Sequence, residues 1–249
     1  MQNDFLHTNG SFAHIARDHP EARIDLPFLR GTVPQVKTLA DAFRAAEKPV
    51  VYIAHVLKPD YSDAAFPYWR LGVKPGAGNY THCVEGTWGA EIVDELRSKE
   101  GEHLIVKKGF GGFANTSLNT ILRNMGVHTC VVCGVTTCVC VSNTVRGGVE
   151  ENFRMVLASD GVAEINRDTH DAESKTMARI FADVLSTEQI IPDSLDEMVF
   201  GQLRAPIYVV ISNSYAGSGS RDLTDATGER RNRRLVAWIR QESSKIRHL

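Results

Sequence analysis

Residues 129–146 read TCVVCGVTTCVCVSNTVR. The opening run, Cys130, Val131, Val132 and Cys133, is apolar and rich in β-branched residues, the composition of a strand buried on both faces. Gly134 interrupts it, and a helix-compatible segment then begins with Cys140 near its start. Strand, tight turn and helix in that order put Cys140 where backbone N–H groups lack intrahelical partners and the helix dipole is positive. A thiol so placed is biased toward thiolate, which is how proteins make a cysteine nucleophilic near neutral pH. The competing reading of Cys138 and Cys140 is packing, because free cysteine behaves as a small buried hydrophobe.

Strand and helix signals alternate on both sides of this stretch. The spacing of Val36, Leu39, Ala40 and Phe43 predicts a helix over 33–48, closed by Pro49 before a strand over 50–56. Residues 58–82, with several Gly and Pro, read as a long loop. Further on, the pattern predicts a short helix over 91–98, a strand over 103–106 and a helix over 117–125 capped by Gly126. After the strand 129–133 come a helix over 139–151, a strand over 153–158 and a long helix over 168–185. Strands separated by helices imply an α/β fold with a mostly parallel sheet between two helical layers. In such sheets the site lies at the carboxyl ends of the strands, where Lys107 and the Gly134 turn fall.

Composition narrows the function classes. The 249 residues are 43% hydrophobic and 23% charged, ordinary for a globular protein with a full core. A formal net charge of -2 gives no reason to expect nucleic acid or an anionic membrane as a partner. No apolar run approaches the ~18 residues of a membrane span and the N-terminus has no signal-peptide pattern, so a cytoplasmic location is expected. Five cysteines, Cys83, Cys130, Cys133, Cys138 and Cys140, raise a zinc reading. Strand alternation, however, points Cys130 and Cys133 to opposite faces, and no metal or other cofactor is expected. The odd, clustered count argues against a disulfide framework.

The run 134–141, GVTTCVCV, with Thr144 and Arg146 after it, resembles the nucleophile motif of the isochorismatase-like cysteine hydrolases. Aligned this way, the nucleophile is Cys140. The resemblance also implies a cis peptide at Val135-Thr136, with the N–H groups of Thr136 and Cys140 forming an oxyanion hole. Residues 104–116, LIVKKGFGGFANT, look like the family's strand-end lysine and following turn; the matching lysine is Lys107, with Lys108 a solvated neighbour and Gly111 where many relatives carry Ser. A lysine at the end of a buried strand favours a thiolate nearby and can bond a carboxylate partner. Residues 84–92, VEGTWGAEI, are similar to a further family segment, and the resemblance covers roughly residues 1–195.

One element departs from the pattern. The family's first strand ends in Asp-x-Gln-Asn-Asp-Phe, and its first Asp is the general base, whereas this chain begins Met1-Gln2-Asn3-Asp4-Phe5. The catalytic Asp is thus expected just before Met1, and the first strand, normally central, is missing from this chain as well. Either the natural protein is longer, which is the reading we favour, or the chain lacks the base and hydrolyses poorly. A third alternative has Asp4 swinging in, although three residues amount to about 10 Å in an extended chain. Metal-dependent nicotinamidases of the superfamily carry an Asp-x-His pair at the position of His55, but Ile53 stands where that Asp would be, so His55 is expected to line the pocket or sit in the core.

Residues 196–249 lie outside the resemblance and form a C-terminal extension. Within it, 205–211 suggest an edge strand, and 229–249 a basic, helix-compatible end carrying Arg230, Arg231, Arg233 and Arg234. The resemblance as a whole implies a metal-free amidohydrolase in which Cys140 attacks a small amide, ureido or carbamoyl compound. Lys107 would assist, and Phe5, Trp88 and Phe113 are candidate pocket walls. A homo-oligomer is expected. The competing class is a non-catalytic family member or scaffold with an inert thiol.

Overall fold

The computed structural model describes residues 1–65 and 81–191 together with the backbone of 207–212. The chain opens with α1 (Asn3–Leu6), α2 (Ser11–Asp18), α3 (Leu26–Gly31) and α4 (Val33–Ala45), then enters β1 (Val50–His55). After β2 (His103–Lys107) come α5 (Leu118–Asn124), β3 (Thr129–Val135), α6 (Ser142–Glu150) and β4 (Arg154–Ala163). The last elements are α7 (Arg167–Thr176), β5 (Asp183–Leu185), α8 (Thr187–Ile190) and β6 (Ile207–Ser212). The six strands form one sheet in the order β2-β1-β6-β3-β4-β5, and every pairing is parallel.

Alternation along the strands separates two cores. Val50, Tyr52, Val131 and Cys133 face a layer built from Leu29, Val36, Leu39 and Phe43 of α3 and α4. Val51, Ile53, Cys130 and Val132 face the opposite layer, with Leu118 and Leu122 of α5 and Val145 of α6. Cys130 and Cys133 therefore lie on opposite sides of the sheet. This is the three-layer α/β arrangement that the alternation of strand and helix signals implies.

Three elements change type or place relative to the sequence reading, and the strand read over 153–158 runs on to Ala163. Residues 91–98 form no α-helix; 3-10 turns Trp88–Ala90 and Asp94–Leu96 flank a stretch whose backbone pairs with the chain start. Asn3 N–H donates to Glu91 O at 3.0 Å and Val93 N–H to Met1 O at 3.2 Å, so tertiary pairing overrides the local helical spacing. The long helix over 168–185 ends at a π turn, Met177–Phe181, and Asp183–Leu185 becomes a strand paired with Val156 to Ala158.

The third difference is the largest. The strand read as an edge strand in the extension is central: β6 lies between β1 and β3, with Val209 level with both Val50 and Val131, and Ser212 level with both Ile53 and Gly134. A central place in the sheet is thus taken by a strand from beyond residue 195. β6 belongs to the compact unit Met1–Gly217. The second unit, Ser218–Leu249, and with it the basic end, lies outside the described residues, as does most of the 58–82 loop (residues 66–80).

Candidate active site

The carboxyl ends of β1, β2 and β3 converge on a narrow cavity lined by Met1, Gln2, Phe5, Ile53, His55, Lys107, Val135 and Cys140. Lys107 is the last residue of β2 and is 2% exposed. Its Nζ donates to Cys140 Sγ at 3.2 Å and to Gly109 O at 2.9 Å. A buried lysine is costly unless its donors are satisfied, and the sulfur is one of the two acceptors here. In the sheet order β1 and β6 separate β2 from β3, so the contact spans the carboxyl ends of two intervening strands.

Cys140 is presented by a π turn, Thr137–Val141, that leads straight into α6. The Val135–Thr136 peptide bond ahead of it is cis. Thr136 O accepts from Val139 N–H at 3.3 Å and Val141 N–H at 3.1 Å, and the N–H of Cys140, between them, is not among its donors. The wider turn thus skips one amide, a feature that π turns bring to functional sites. Thr144 Oγ1 donates to Cys140 O at 2.7 Å and accepts from Gly112 N–H at 2.9 Å, tying the turn after β2 to the start of α6. The chain packs closely at Gly112: a Cβ there would fall 2.4 Å from Ile53 Cδ1, so the Ile53 side chain would have to shift.

The other cysteines have different surroundings. Burial pushes the Cys130 and Cys133 thiols up to about 12 and holds Cys83 well above the usual range. Cys138, two residues from Cys140, is also pushed up to about 12, first by desolvation and then by the charge and hydrogen bonding of Glu164. Cys140 is the one whose sulfur meets Lys107.

His55 sits level with Lys107 on the neighbouring strand, and burial, reinforced by Lys107, holds its imidazole well below its ordinary pKa. Gln2 Nε2 donates to His55 O at 2.6 Å. The Asp-x-His ligand pair of metal-dependent relatives does not fit this strand end, because Ile53 packs in the apolar core. Asp4, the aspartate weighed as a substitute base, is not among the cavity's lining residues. Its Oδ1 accepts from Ser11 N–H at 3.0 Å and its Oδ2 from Cys83 N–H at 2.7 Å, an internal clip. Asp4, His82 and Cys83 offer ligand atoms within 4.8 Å of one another, but both Asp4 oxygens serve that clip and burial keeps the Cys83 thiol protonated.

Of the three aromatic residues expected as walls, only Phe5 lines the cavity. Phe113 points into the core under α6, 5.5 Å from the Phe153 ring and against Gly147 and Gly148. Trp88 is 46% exposed, with its ring edge-on to His7. Sequence reasoning missed Glu164, a 4% exposed carboxylate that follows β4 and accepts from Cys138 N–H at 2.6 Å. The signal was present, since Glu164 is a charged residue at the carboxyl end of a buried strand, as Lys107 is.

A family model, the isochorismatase domain, matches residues 1–189. The chain belongs to the isochorismatase family. Among curated relatives, the ureidoacrylate amidohydrolase of Rhizobium rhizogenes is 28% identical over 185 residues, covering 68% of this chain and 69% of the relative. A secreted isochorismatase effector of Verticillium dahliae is 29% identical over 174 residues, covering 68% and 80%. Among solved structures, the N-carbamoylsarcosine amidase of Thermoplasma acidophilum superposes with a TM-score of 0.60 at 26% identity, covering 77% of this chain and 95% of that one. Among the described residues no helix is long and apolar enough to cross a membrane. The family match ends ahead of β6, so the central strand lies outside the part of the chain that carries it.

Proposed function

We propose that this isochorismatase-family protein is a cysteine hydrolase that cleaves a C–N bond of a small amide, ureido or carbamoyl compound. The observation that carries the reading is the buried 3.2 Å contact between Lys107 Nζ and Cys140 Sγ, at strand carboxyl ends and beside a cavity. In this reading Cys140 sulfur attacks the carbonyl carbon while Lys107 offsets the negative charge on the sulfur. The resulting oxyanion is received by the N–H groups of Thr136 and Cys140. The tetrahedral intermediate collapses, the C–N bond breaks, and ammonia or an amine leaves with the proton that the Cys140 thiol gave up on ionising, returned through solvent. Water then hydrolyses the thioester, releasing the acid and the thiol. Phe5 supplies the aromatic wall. The mechanism needs no metal-bound water, so dialysis against a chelator is expected to leave the rate unchanged. A homo-oligomer in the cytoplasm is part of the same reading.

The names of the relatives supply the substrates to try. Ammonia release from ureidoacrylate and from N-carbamoylsarcosine is expected in the wild type and absent in Cys140→Ala, while Cys138→Ala retains the rate. Equal rates in wild type and Cys140→Ala would overturn the proposal. A second reading, a binding protein without turnover, is favoured by one observation: no carboxylate is among the described residues lining the cavity. Folded protein that alkylates at Cys140 yet releases no ammonia from either compound would select that reading.

A further inference from the structure

Three groups from residues 164–170 converge on the two residues that open the nucleophile's turn. Glu164 Oε2 accepts from Cys138 N–H at 2.6 Å, Thr169 O accepts from Cys138 Sγ at 3.3 Å, and His170 Nδ1 lies 3.0 Å from Thr137 Oγ1. The second oxygen of Glu164 accepts from Ile165 N–H at 2.9 Å. Removing a carboxylate from water is expensive unless other donors replace the water, and here two backbone amides do so with charge-assisted bonds. Only one of those amides belongs to the strand end that carries Glu164. The other belongs to the turn that presents Cys140.

The first N–H groups of a helical turn have no carbonyl partners within it, and a π turn is wider and less regular than an α turn. Without an external acceptor, the start of Thr137–Val141 is free to tighten or rotate. Glu164 provides that acceptor from the side of β4 and α7. We propose that Glu164 is the positioning residue of the nucleophile turn: by holding Cys138 N–H it fixes the turn so that Cys140 Sγ and N–H face the cavity. The inference rests on the reading of Cys140 as the nucleophile. Glu164 has a second consequence for the same turn. Cys138 is the more exposed of the two neighbouring thiols, and burial first and then the charge of Glu164 push its pKa up, while the sulfur of Cys140 meets Lys107.

The test is iodoacetamide labelling of the full chain, mapped by peptide mass spectrometry in wild type, Glu164→Ala and Glu164→Gln, with thermal melts confirming that each variant is folded. In the wild type Cys140 is expected to be labelled and Cys138 spared. Glu164→Ala is expected to lower the Cys140 to Cys138 labelling ratio by about tenfold, since a turn released from its acceptor no longer holds the Cys140 sulfur toward the cavity. Where turnover is measurable, the same variant is expected to lower kcat by about 100-fold with KM within about threefold, the cost of a misplaced reacting group. Glu164→Gln keeps an oxygen for Cys138 N–H but loses the charge. It is expected to restore kcat to within about fivefold while Cys138 still gains labelling. A role confined to stability would move the melts and leave ratio and kcat unchanged, and that result overturns the inference, as does a Gln variant no better than Ala. If Glu164→Ala does not fold, Glu164→Asp, whose carboxylate keeps the charge but falls one methylene short of Cys138 N–H, decides alone: a lowered Cys140 labelling rate in folded protein supports the inference and a wild-type rate overturns it. Wild-type protein that leaves Cys140 unlabelled removes the nucleophile reading, and this inference with it.

Discussion

The two walls of the cavity are held in place by different means. The wall that presents Cys140 runs through consecutive residues of β3, the π turn and α6, and the start of its turn is held by Glu164 and His170, from the end of the next strand and the helix after it. The facing wall, Met1, Gln2, Phe5 and His55, is closed by bonds between distant residues. Gln2 reaches His55 O, Asn3 Nδ2 reaches Trp88 O at 2.9 Å, and Asp4 reaches Cys83 N–H. Local turns form with their helices, whereas a wall made of long-range bonds opens when any one anchor fails. Lys107 belongs to the facing half of the sheet yet bonds the sulfur of the other, and β6 joins the two halves.

Removing that join gives the largest expected effect. Deletion of residues 196–249 takes β6 from between β1 and β3, so both halves lose a parallel ladder at the middle of the sheet. The loss is expected to exceed the whole ~5–15 kcal/mol stability of a domain. The shortened chain should show no cooperative thermal transition, and a melt like that of the full chain would show that the halves hold together without β6. Breaking the contact across the walls is expected to affect chemistry more than folding. Lys107→Met fills a similar volume, removes a buried amine and leaves Cys140 without its partner. Activity is expected to fall by roughly 10²–10³-fold while the melting temperature stays level or rises. Retained activity would mean that the two walls need not communicate through Lys107.

Smaller effects separate the walls further. Asp4→Ala strips the acceptors from Ser11 N–H and Cys83 N–H, two buried donors, at an expected cost of about 2–4 kcal/mol. A Cβ on Gly89 would lie 2.4 Å from Asp4 Oδ2, so Gly89→Ala should disturb the same clip. Urea unfolding measures both, and values near zero would show that the facing wall does not depend on this anchor. The smallest effect is a pH dependence. Burial lowers the pKa of His55, His82 and His170 in the folded chain, while the unfolded residues titrate near 6.5. The unfolded state therefore binds more protons below about pH 6.5, so stability is full above that value and is lost as pH falls toward the folded-state values. His55→Gln should make the loss shallower by up to one proton, roughly 1 kcal/mol per pH unit. An unchanged slope would show that His55 does not contribute to the acid sensitivity.

The same contrast explains what could be read from the sequence. The turn that carries Cys140 was legible because strand, glycine and helix start follow one another within a few residues and keep their local meaning in the fold, whereas Lys107 was singled out by the family resemblance and not by local pattern. Phe113 and Trp88 were placed at the cavity on residue type alone. The structure sends one into the core against Gly148 and leaves the other at the surface, choices made by packing partners distant in sequence. Residues 91–98 carried helical spacing but spend their amides on the chain start. β6 was legible as a strand from its β-branched run. Its central place was not, because a run of that kind fits an edge or an interior position and only the partners on both sides decide.

The central claim is that Cys140 forms the covalent intermediate, and rapid quenching tests it most directly. Wild-type protein mixed with ureidoacrylate or N-carbamoylsarcosine, acid-quenched within milliseconds to seconds and digested, is expected to carry an acyl adduct on the peptide containing Cys140. The adduct should be absent from Cys140→Ala and should build more slowly in Lys107→Met. An adduct on another residue, or substrate turnover by Cys140→Ala, would contradict the account.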